Sequence, residues 1–141
     1  MPFGDLKDKE IEEFFKLNIV SHIKLTNKIY PIFVKNGSGT IVNISSVAGI
    51  RPVLHGTLYS SVKYGLKGFT DSLRIEAKKK NIRVIGVYPE GIKTELYLKT
   101  VKKEDFESTI SPEEISQLIF DVTKKYQSLN LDDLIVSRMN Y

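Results

Sequence analysis

Two short runs of aliphatic residues constrain the fold of this chain more than any other feature. The first reads TIVNI at 40–44 and lies between glycine and serine residues, and the second reads IRVIGVYP at 82–89. Neither run alternates between polar and apolar residues, as a strand with one solvated face would. Both are therefore predicted to be strands buried on two faces, which are typical of parallel sheets with helices on each side.

Amphipathic helices are predicted before, between and after these strands. Apolar residues recur at helical spacing over 5–34, where Pro31 is expected to kink or divide the helix, and again over 58–79. A third helix should begin at Ser111, which is followed by a proline at the first helical position and by Glu114 at the third. A short helix is predicted at 94–101, and DDLIVSRM should form a third strand.

The resulting order is helix, strand, helix, strand, helix, strand. Parallel strands need crossover connections, and such crossovers are right-handed. The predicted fold class is therefore α/β, a partial Rossmann-like, doubly wound parallel sheet of about three strands with about three main helices. The sequence contains no internal repeat and no linker, so residues 1–141 are predicted to form a single domain.

Composition argues against several kinds of site. The chain has no cysteine, which excludes disulfides and thiolate chemistry; we predict no metal site and expect a cytoplasmic protein. No apolar run is long enough to cross a membrane, and the first residues do not resemble a signal peptide. The net charge is only +4, and the run Lys78–Lys80 falls at a predicted helix end. We therefore expect neither nucleic acid nor membrane as a partner.

Tyr59 and Lys63 lie four residues apart at the start of the second long helix. Chance produces such a pair about 0.8 times in a chain of this composition, so the spacing alone also allows two ordinary residues on a lysine-rich helix. Ser46 follows the first strand, and open α/β sheets bind ligands at strand carboxyl ends. Asn18 lies in mid-helix between apolar residues, which indicates a kink or a hydrogen-bonding role.

Several segments together resemble the short-chain dehydrogenase/reductase family. They are LNIV at 17–20, GTIVNISSVAG at 39–49, YSSVK at 59–63, YPEGIKTE at 88–95 and DDLIVSRM at 132–139. Their order and spacing follow the family along nearly the whole chain, which is a far more specific signal than any one motif. The resemblance implies that residues 1–141 correspond to the C-terminal, catalytic half of the family's fold.

The resemblance also implies a chemistry: hydride transfer between NAD or NADP and a small carbonyl compound or secondary alcohol. Tyr59 would be the general acid/base, Lys63 would stabilise its phenolate and bind the nicotinamide ribose, Ser46 would hold the substrate oxygen, and Asn18 would anchor a water of the proton relay. A tyrosine with the ordinary pKa of about 10 is a poor base near neutral pH without such help. The implied cofactor-binding residues are Tyr59, Lys63, Pro89, Gly91, Ile92 and Thr94.

The sequence departs from the family in two places. Glu90 stands where a glycine commonly follows the proline, which puts a carboxylate near the expected cofactor. The glycine-rich T-G-x-x-x-G-x-G motif does not occur, and NGSGT at 36–40 follows a helix and precedes a strand, the reverse of the context that pyrophosphate binding needs. We therefore expect an N-terminally truncated reductase, weakly active or inactive alone. The alternative is a non-catalytic half-domain serving as an interaction module or a relic.

The remaining expectations concern surfaces. The unpaired edge of the first strand and the helices at 5–34 and 58–79 are predicted to form homo-oligomer contacts. The segment 95–110 is expected to cover the substrate. His22 and His55 are interpreted as surface residues.

Overall fold

The computed structural model describes residues 3–99, 106, 109–126 and 128–139. A 3-10 turn, Phe3–Asp5, precedes the main elements. These are α1 (Asp8–Phe15), a π turn (Lys16–Val20), α2 (Ser21–Asn36), β1 (Gly39–Ile44), a 3-10 turn (Val47–Gly49), α3 (Thr57–Lys78), β2 (Ile82–Pro89), α4 (Glu95–Leu98), α5 (Pro112–Lys125) and β3 (Asp133–Val136).

The three strands form one parallel sheet in the order β1-β2-β3. Gly39 lies opposite Ile82, so β1 pairs with β2 from its first residue to its last. The pairing of β2 with β3 is shorter and begins with Gly86 opposite Asp133. The α/β fold class predicted from the buried strands is confirmed, because every strand pair is parallel and each crossover carries a helix.

Apolar residues cover both faces of the sheet. On one face, α5 packs against the central strand around Ile85, Val87, Ile110, Ile115 and Val122. On the other face, α3 packs around Leu73, Ala77, Ile82 and Val84, with Tyr30 and Phe33 of α2 beside them. The strand residues alternate between these two clusters, which explains why the sequence of β2 is apolar at consecutive positions.

The first long helix differs from its prediction. It begins at Asp8, changes to a π turn at Lys16–Val20 and continues to Asn36, so Pro31 does not divide it. The helix ends when Gly37 adopts a left-handed conformation, with φ of 69°, which glycine tolerates without a steric penalty. The irregularity indicated by Asn18 is the π turn that contains this residue.

The later elements follow the sequence closely. The apolar stripe of α3 is buried at Val62, Leu66, Leu73 and Ala77. Strand β2 occupies the whole predicted run, and α5 begins with the predicted capping box, in which Ser111 Oγ accepts a hydrogen bond from the Glu114 amide at 3.1 Å. The predicted helix at 94–101 is observed only as α4. Residues 100 and 101, and half of the proposed substrate cover at 95–110, lie outside the described residues.

Unburied apolar side chains remain on the first long helix and on β1. Leu17, Leu25 and Ile32 are each more than half exposed, and Ile44 is 48% exposed. Within the described part of the chain, β1 is hydrogen-bonded to a strand on one side only. None of the helices in that part has both the length and the apolarity needed to cross a bilayer.

Candidate active site

The site is built at the carboxyl edge of the sheet. Strand β1 ends at Ile44 and passes through Ser45 and Ser46 into a 3-10 turn, while β2 ends at Pro89 and passes into a second turn. The amide of Ser45 still donates to the Val87 carbonyl at 2.8 Å, which keeps these two strand ends side by side. Because α3 runs back from this edge, its first turns lie close to both strand ends.

Tyr59 and Lys63 occupy adjacent turns of α3. The Lys63 ammonium nitrogen lies 5.4 Å from the centroid of the Tyr59 ring, within the range of a cation–π contact. Tyr59 is 37% exposed and Lys63 is half-buried, so the phenol can reach a ligand while the ammonium is partly removed from water. This burial lowers the pKa of Lys63. The predicted pair is therefore brought together in an arrangement in which a positive charge can stabilise a phenolate.

The 3-10 turn after β1 packs directly on the backbone of Lys63. Ser45, which is buried, donates through Oγ to the Lys63 carbonyl at 3.4 Å. A Cβ at Gly49 would lie only 2.6 Å from the same carbonyl oxygen, so the absence of a side chain permits the contact. Ser46 Oγ begins the turn by accepting from the Ala48 amide at 3.2 Å, and its hydroxyl hydrogen remains available to another acceptor.

Asn18 lies in the π turn that faces this group. Its Nδ2 donates to the Phe14 carbonyl at 3.1 Å, which leaves Oδ1 available as an acceptor. The Phe14 ring meets the Tyr59 ring edge-on, with centroids 6.5 Å apart and planes at 70°. The first long helix thus contacts Tyr59 directly, and Asn18 is held one turn away from that contact.

The turn after β2 is hydrogen-bonded on the side of β2 that faces β3, away from β1. The Glu90 amide donates to the Val136 carbonyl at 2.9 Å, and Ile92 forms an isolated parallel bridge with Ile110. Thr94 caps α4 by accepting from the Tyr97 amide at 3.3 Å. Pro89, Gly91, Ile92 and Thr94 are therefore placed at the same edge as Tyr59, on a turn with a defined backbone path.

Glu90 forms an ion pair that the sequence did not indicate. Its Oε1 accepts a hydrogen bond from Arg51 Nη2, which reaches across from the loop that follows β1. The negative charge of Glu90, which was expected near the cofactor, is therefore compensated by the Arg51 guanidinium. The pair also connects the loop that carries Ser46 to the turn that carries Gly91.

His22, interpreted from the sequence as a surface residue, is partly covered in the structure. It is half-buried, and both burial and, to a smaller extent, the charge of Lys63 lower its pKa. The sequence feature that could have indicated this partial burial is the position of His22 four residues after Asn18, which places both residues on one helical face. His55 is exposed as expected, with a positive φ of 57°. Among the described residues, no cluster of acidic and histidine side chains is suited to a metal ion.

The chain resembles known enzymes in sequence. Residues 1–105 match the family model described as short chain dehydrogenase. An uncharacterized oxidoreductase of Listeria monocytogenes is 27% identical over 146 residues, an alignment that includes 96% of this chain and 58% of the relative. The chain therefore spans somewhat more than half the length of this curated relative.

Solved structures share the fold. A 7α-hydroxysteroid dehydrogenase complexed with NADH and 7-oxo glycochenodeoxycholic acid superposes with a TM-score of 0.86 at 24% identity, over 96% of this chain and 57% of that one. L-Sorbose reductase from Gluconobacter frateurii, complexed with NADPH and L-sorbose, superposes with a TM-score of 0.84 at 19% identity, over 98% and 60% of the two chains. The fold, the order of the motifs and the family-model match over most of the chain lead to one conclusion: this chain belongs to the short-chain dehydrogenase/reductase family.

Proposed function

We propose that this chain provides the catalytic half of an NAD(P)-dependent oxidoreductase that interconverts a carbonyl compound and a secondary alcohol. Residues 1–141 would correspond to the C-terminal half of the family's fold. The observation that supports this most directly is the Lys63 ammonium 5.4 Å from the Tyr59 ring centroid, at the carboxyl edge of a parallel sheet. Neither residue is needed at that place by the apolar core.

In the direction of reduction, the Tyr59 hydroxyl gives its proton to the substrate oxygen. The resulting phenolate is stabilised by the Lys63 ammonium, whose attraction is stronger in a partly desolvated site than in water. The Ser46 hydroxyl donates a hydrogen bond to the same substrate oxygen and so aligns it with Tyr59. In the direction of oxidation, the phenolate removes the alcohol proton as a general base.

The residues at this edge fit the nicotinamide end of a dinucleotide. The half-buried Lys63 ammonium forms no ion pair with a carboxylate within the part of the chain that the structure describes, so its donors can bind ribose hydroxyls. Pro89, Gly91, Ile92 and Thr94 would line the side of the nicotinamide. The bound cofactor would supply or accept the hydride.

The related enzymes support a small organic substrate. The two solved structures named above contain an oxo-bile acid with NADH in one case and a sugar with NADPH in the other. We propose a carbonyl or hydroxyl compound of moderate size for this chain, bound between Ser46, Tyr59 and the turn after β2.

Fluorescence titration with NADH and NADPH tests the proposal. We expect binding to the 141-residue chain to be weak, because contacts to the pyrophosphate and adenosine supply much of the energy that positions the nicotinamide. Binding should weaken further in Lys63→Met. Lys78→Met is the matched control, because it removes the same charge from the exposed end of α3.

Turnover tests the acid/base role. Tyr59→Phe should lower kcat by about 10²–10⁴-fold, the usual contribution of general acid–base catalysis. Tyr126→Phe, which alters an exposed tyrosine at the end of α5, should behave as wild type. If neither dinucleotide binds at millimolar concentration and Tyr59→Phe changes nothing, the non-catalytic half-domain is the better description.

A further inference from the structure

An arginine side chain crosses the crevice between the ends of β1 and β2. Arg51 lies in the loop after β1, and its Nη2 donates to Oε1 of Glu90, the residue that directly follows β2. Ligands of open α/β sheets bind in the crevice outside the carboxyl ends of the strands. The Arg51 guanidinium therefore lies at the place proposed for the substrate, between the loop that carries Ser46 and the turn that carries Gly91.

The backbone at Arg51 is held by hydrogen bonds on both sides. The Arg51 amide donates to the Val47 carbonyl at 2.9 Å, within the 3-10 turn that Ser46 Oγ begins. The hydroxyl of Tyr64 on α3 donates to the carbonyl of the preceding Ile50 at 2.5 Å. The guanidinium thus extends from the same anchored turn as Ser46, so its reach from the Ser46 hydroxyl is limited by the structure.

The Arg51 guanidinium has hydrogen-bond donors that remain available. A guanidinium carries five N–H groups in a planar fork, and one of them is bound to Glu90. Within the described part of the chain, Arg51 makes no other side-chain hydrogen bond or ion pair. Its side chain is 64% exposed, so a ligand can reach the remaining donors. These suffice to bind a second carboxylate through two parallel hydrogen bonds.

Positive charge prevails around this crevice. Residues 45–64 and 88–94 form the two strand ends, the loop and the first turns of α3. They contain the cationic side chains of Arg51, Lys63 and Lys93 and, with histidine neutral, a single carboxylate, Glu90. Lys63 and Lys93 are both half-buried. A cleft with a surplus of one sign of charge attracts ligands of the opposite sign, so this crevice favours an anionic substrate over a neutral one of the same shape.

We propose that Arg51 determines specificity by binding a carboxylate group of the substrate, so that the site takes oxocarboxylic acids and the corresponding hydroxy acids. The inference rests on the proposed function, in which Ser46 and Tyr59 hold the reacting oxygen. Glu90 keeps the guanidinium extended across the crevice, and the substrate carboxylate takes the donors that Glu90 leaves. Arg51 only binds, so the hydride and proton transfers of the proposed reaction are unchanged.

NMR titration without cofactor tests the binding step. The probes are pyruvate, acetoacetate and 4-oxopentanoate, each compared with its methyl ester, and the signals followed are Arg51 Nε–H and the Ser46 amide. We expect the acids to shift both signals and to bind about 10-fold more tightly than the esters, because only the acids form charge-assisted hydrogen bonds. The acid that binds most tightly reports the separation between Ser46 and the guanidinium.

Arg51→Met should remove this preference for the acids. Arg138→Met is the matched control, because Arg138 is also a partly exposed arginine paired with a glutamate, Glu114, but it lies after β3. Unchanged far-UV circular dichroism shows that each variant is folded. Equal affinities for acids and esters, or loss of acid binding in both arginine variants, overturn the assignment. Equal shifts with acetate, which lacks the oxo group, also overturn it, because Arg51 would then bind any carboxylate.

Turnover at saturating NADH or NADPH supplies the second arm, since an effect on cofactor affinity is then removed. Arg51→Met should raise KM for the preferred acid by about 10-fold with kcat unchanged, because the contact is made equally in the ground state and the transition state. The KM of the methyl ester should not change. Arg51→Lys should restore only part of the affinity for the acid, since an ammonium keeps the charge but lacks the planar fork.

A wild-type chain that reduces the ester as efficiently as the acid contradicts the role of Arg51. Absence of dinucleotide binding contradicts the proposed function instead, and the cofactor-free NMR titration then still decides whether Arg51 binds oxocarboxylates.

Discussion

Replacement of Gly49 by alanine should separate the two parts of the candidate site. A Cβ at this position would lie 2.6 Å from the Lys63 carbonyl oxygen, 2.9 Å from the carbonyl carbon and 3.2 Å from Ser45 Oγ. The two closest atoms belong to the backbone of α3, so they cannot yield by a change of rotamer. The 3-10 turn must instead move away from α3 by about 0.8 Å to restore ordinary van der Waals contact.

The cost can be estimated from two contributions. Overpacking of this kind typically destabilises a protein by about 1–3 kcal/mol. The movement would also break the hydrogen bond between Ser45 Oγ and the Lys63 carbonyl, whose net value is about 1 kcal/mol or less at a length of 3.4 Å. We therefore expect Gly49→Ala to lower the free energy of unfolding by about 2 kcal/mol. Because Ser46 moves with the turn, kcat should decrease more than cofactor affinity.

Urea unfolding measures the first effect, and Gly68→Ala provides the matched control. Gly68 is an exposed residue within α3, and a Cβ there would meet no atom within 4 Å. Alanine is favoured over glycine inside a helix, so this variant should be more stable than wild type by about 0.5–1 kcal/mol. Both variants should keep the wild-type m value, since the surface exposed on unfolding is unchanged.

The two glycine variants should therefore change stability in opposite directions. Equal stabilities for Gly49→Ala and wild type would refute the reasoning, because the turn would then tolerate a side chain against the Lys63 backbone. A stabilised Gly49→Ala would refute it more strongly.

Four further predictions follow from other contacts. Ser111→Ala should destabilise the chain by about 1 kcal/mol in urea unfolding through loss of the capping box, whereas Ser116→Ala should cost less, because its hydroxyl only bonds back to a helical carbonyl. Arg51→Ala should change stability by less than about 1 kcal/mol, since its side chain is 64% exposed, but should weaken NAD(P)H binding by leaving Glu90 uncompensated; unchanged affinity would contradict this role. The lowered pKa of His22 means that the unfolded chain binds this proton more tightly than the folded chain does. The stability contributed by the neutral ring is therefore complete above about pH 6.5 and decreases as the pH falls toward the folded-state pKa. His22→Gln should reduce this dependence of the unfolding free energy on pH, as measured by urea unfolding. The exposed apolar residues of the first long helix and the unpaired edge of β1 should cause self-association, and a monodisperse monomer by light scattering at micromolar concentration would contradict this expectation.

Most of the fold could be predicted because its signals are local. Strand β2 is apolar at consecutive positions whichever neighbours it packs against, and the capping box at Ser111 satisfies amides of its own helix. The helical spacing of apolar residues in α3 likewise predicted the burial of Val62, Leu66, Leu73 and Ala77. The details that could not be predicted were set by contacts with other parts of the chain. Asn18 indicated a kink or a hydrogen-bonding role, but only the structure shows that the helix forms a π turn there, where it faces α3.

The sequence by itself determined the identity and order of the chemical groups: a tyrosine and a lysine one helical turn apart, a serine at a strand end and an asparagine in a helix. The tyrosine and the lysine belong to the same helix, so regular helix geometry alone sets their relative position. Only the tertiary structure decided that Gly49 lies against the Lys63 backbone, that Arg51 compensates Glu90 and that His22 experiences the charge of Lys63. Each of these depends on the distance between two elements, which is set by the packing of their remaining side chains.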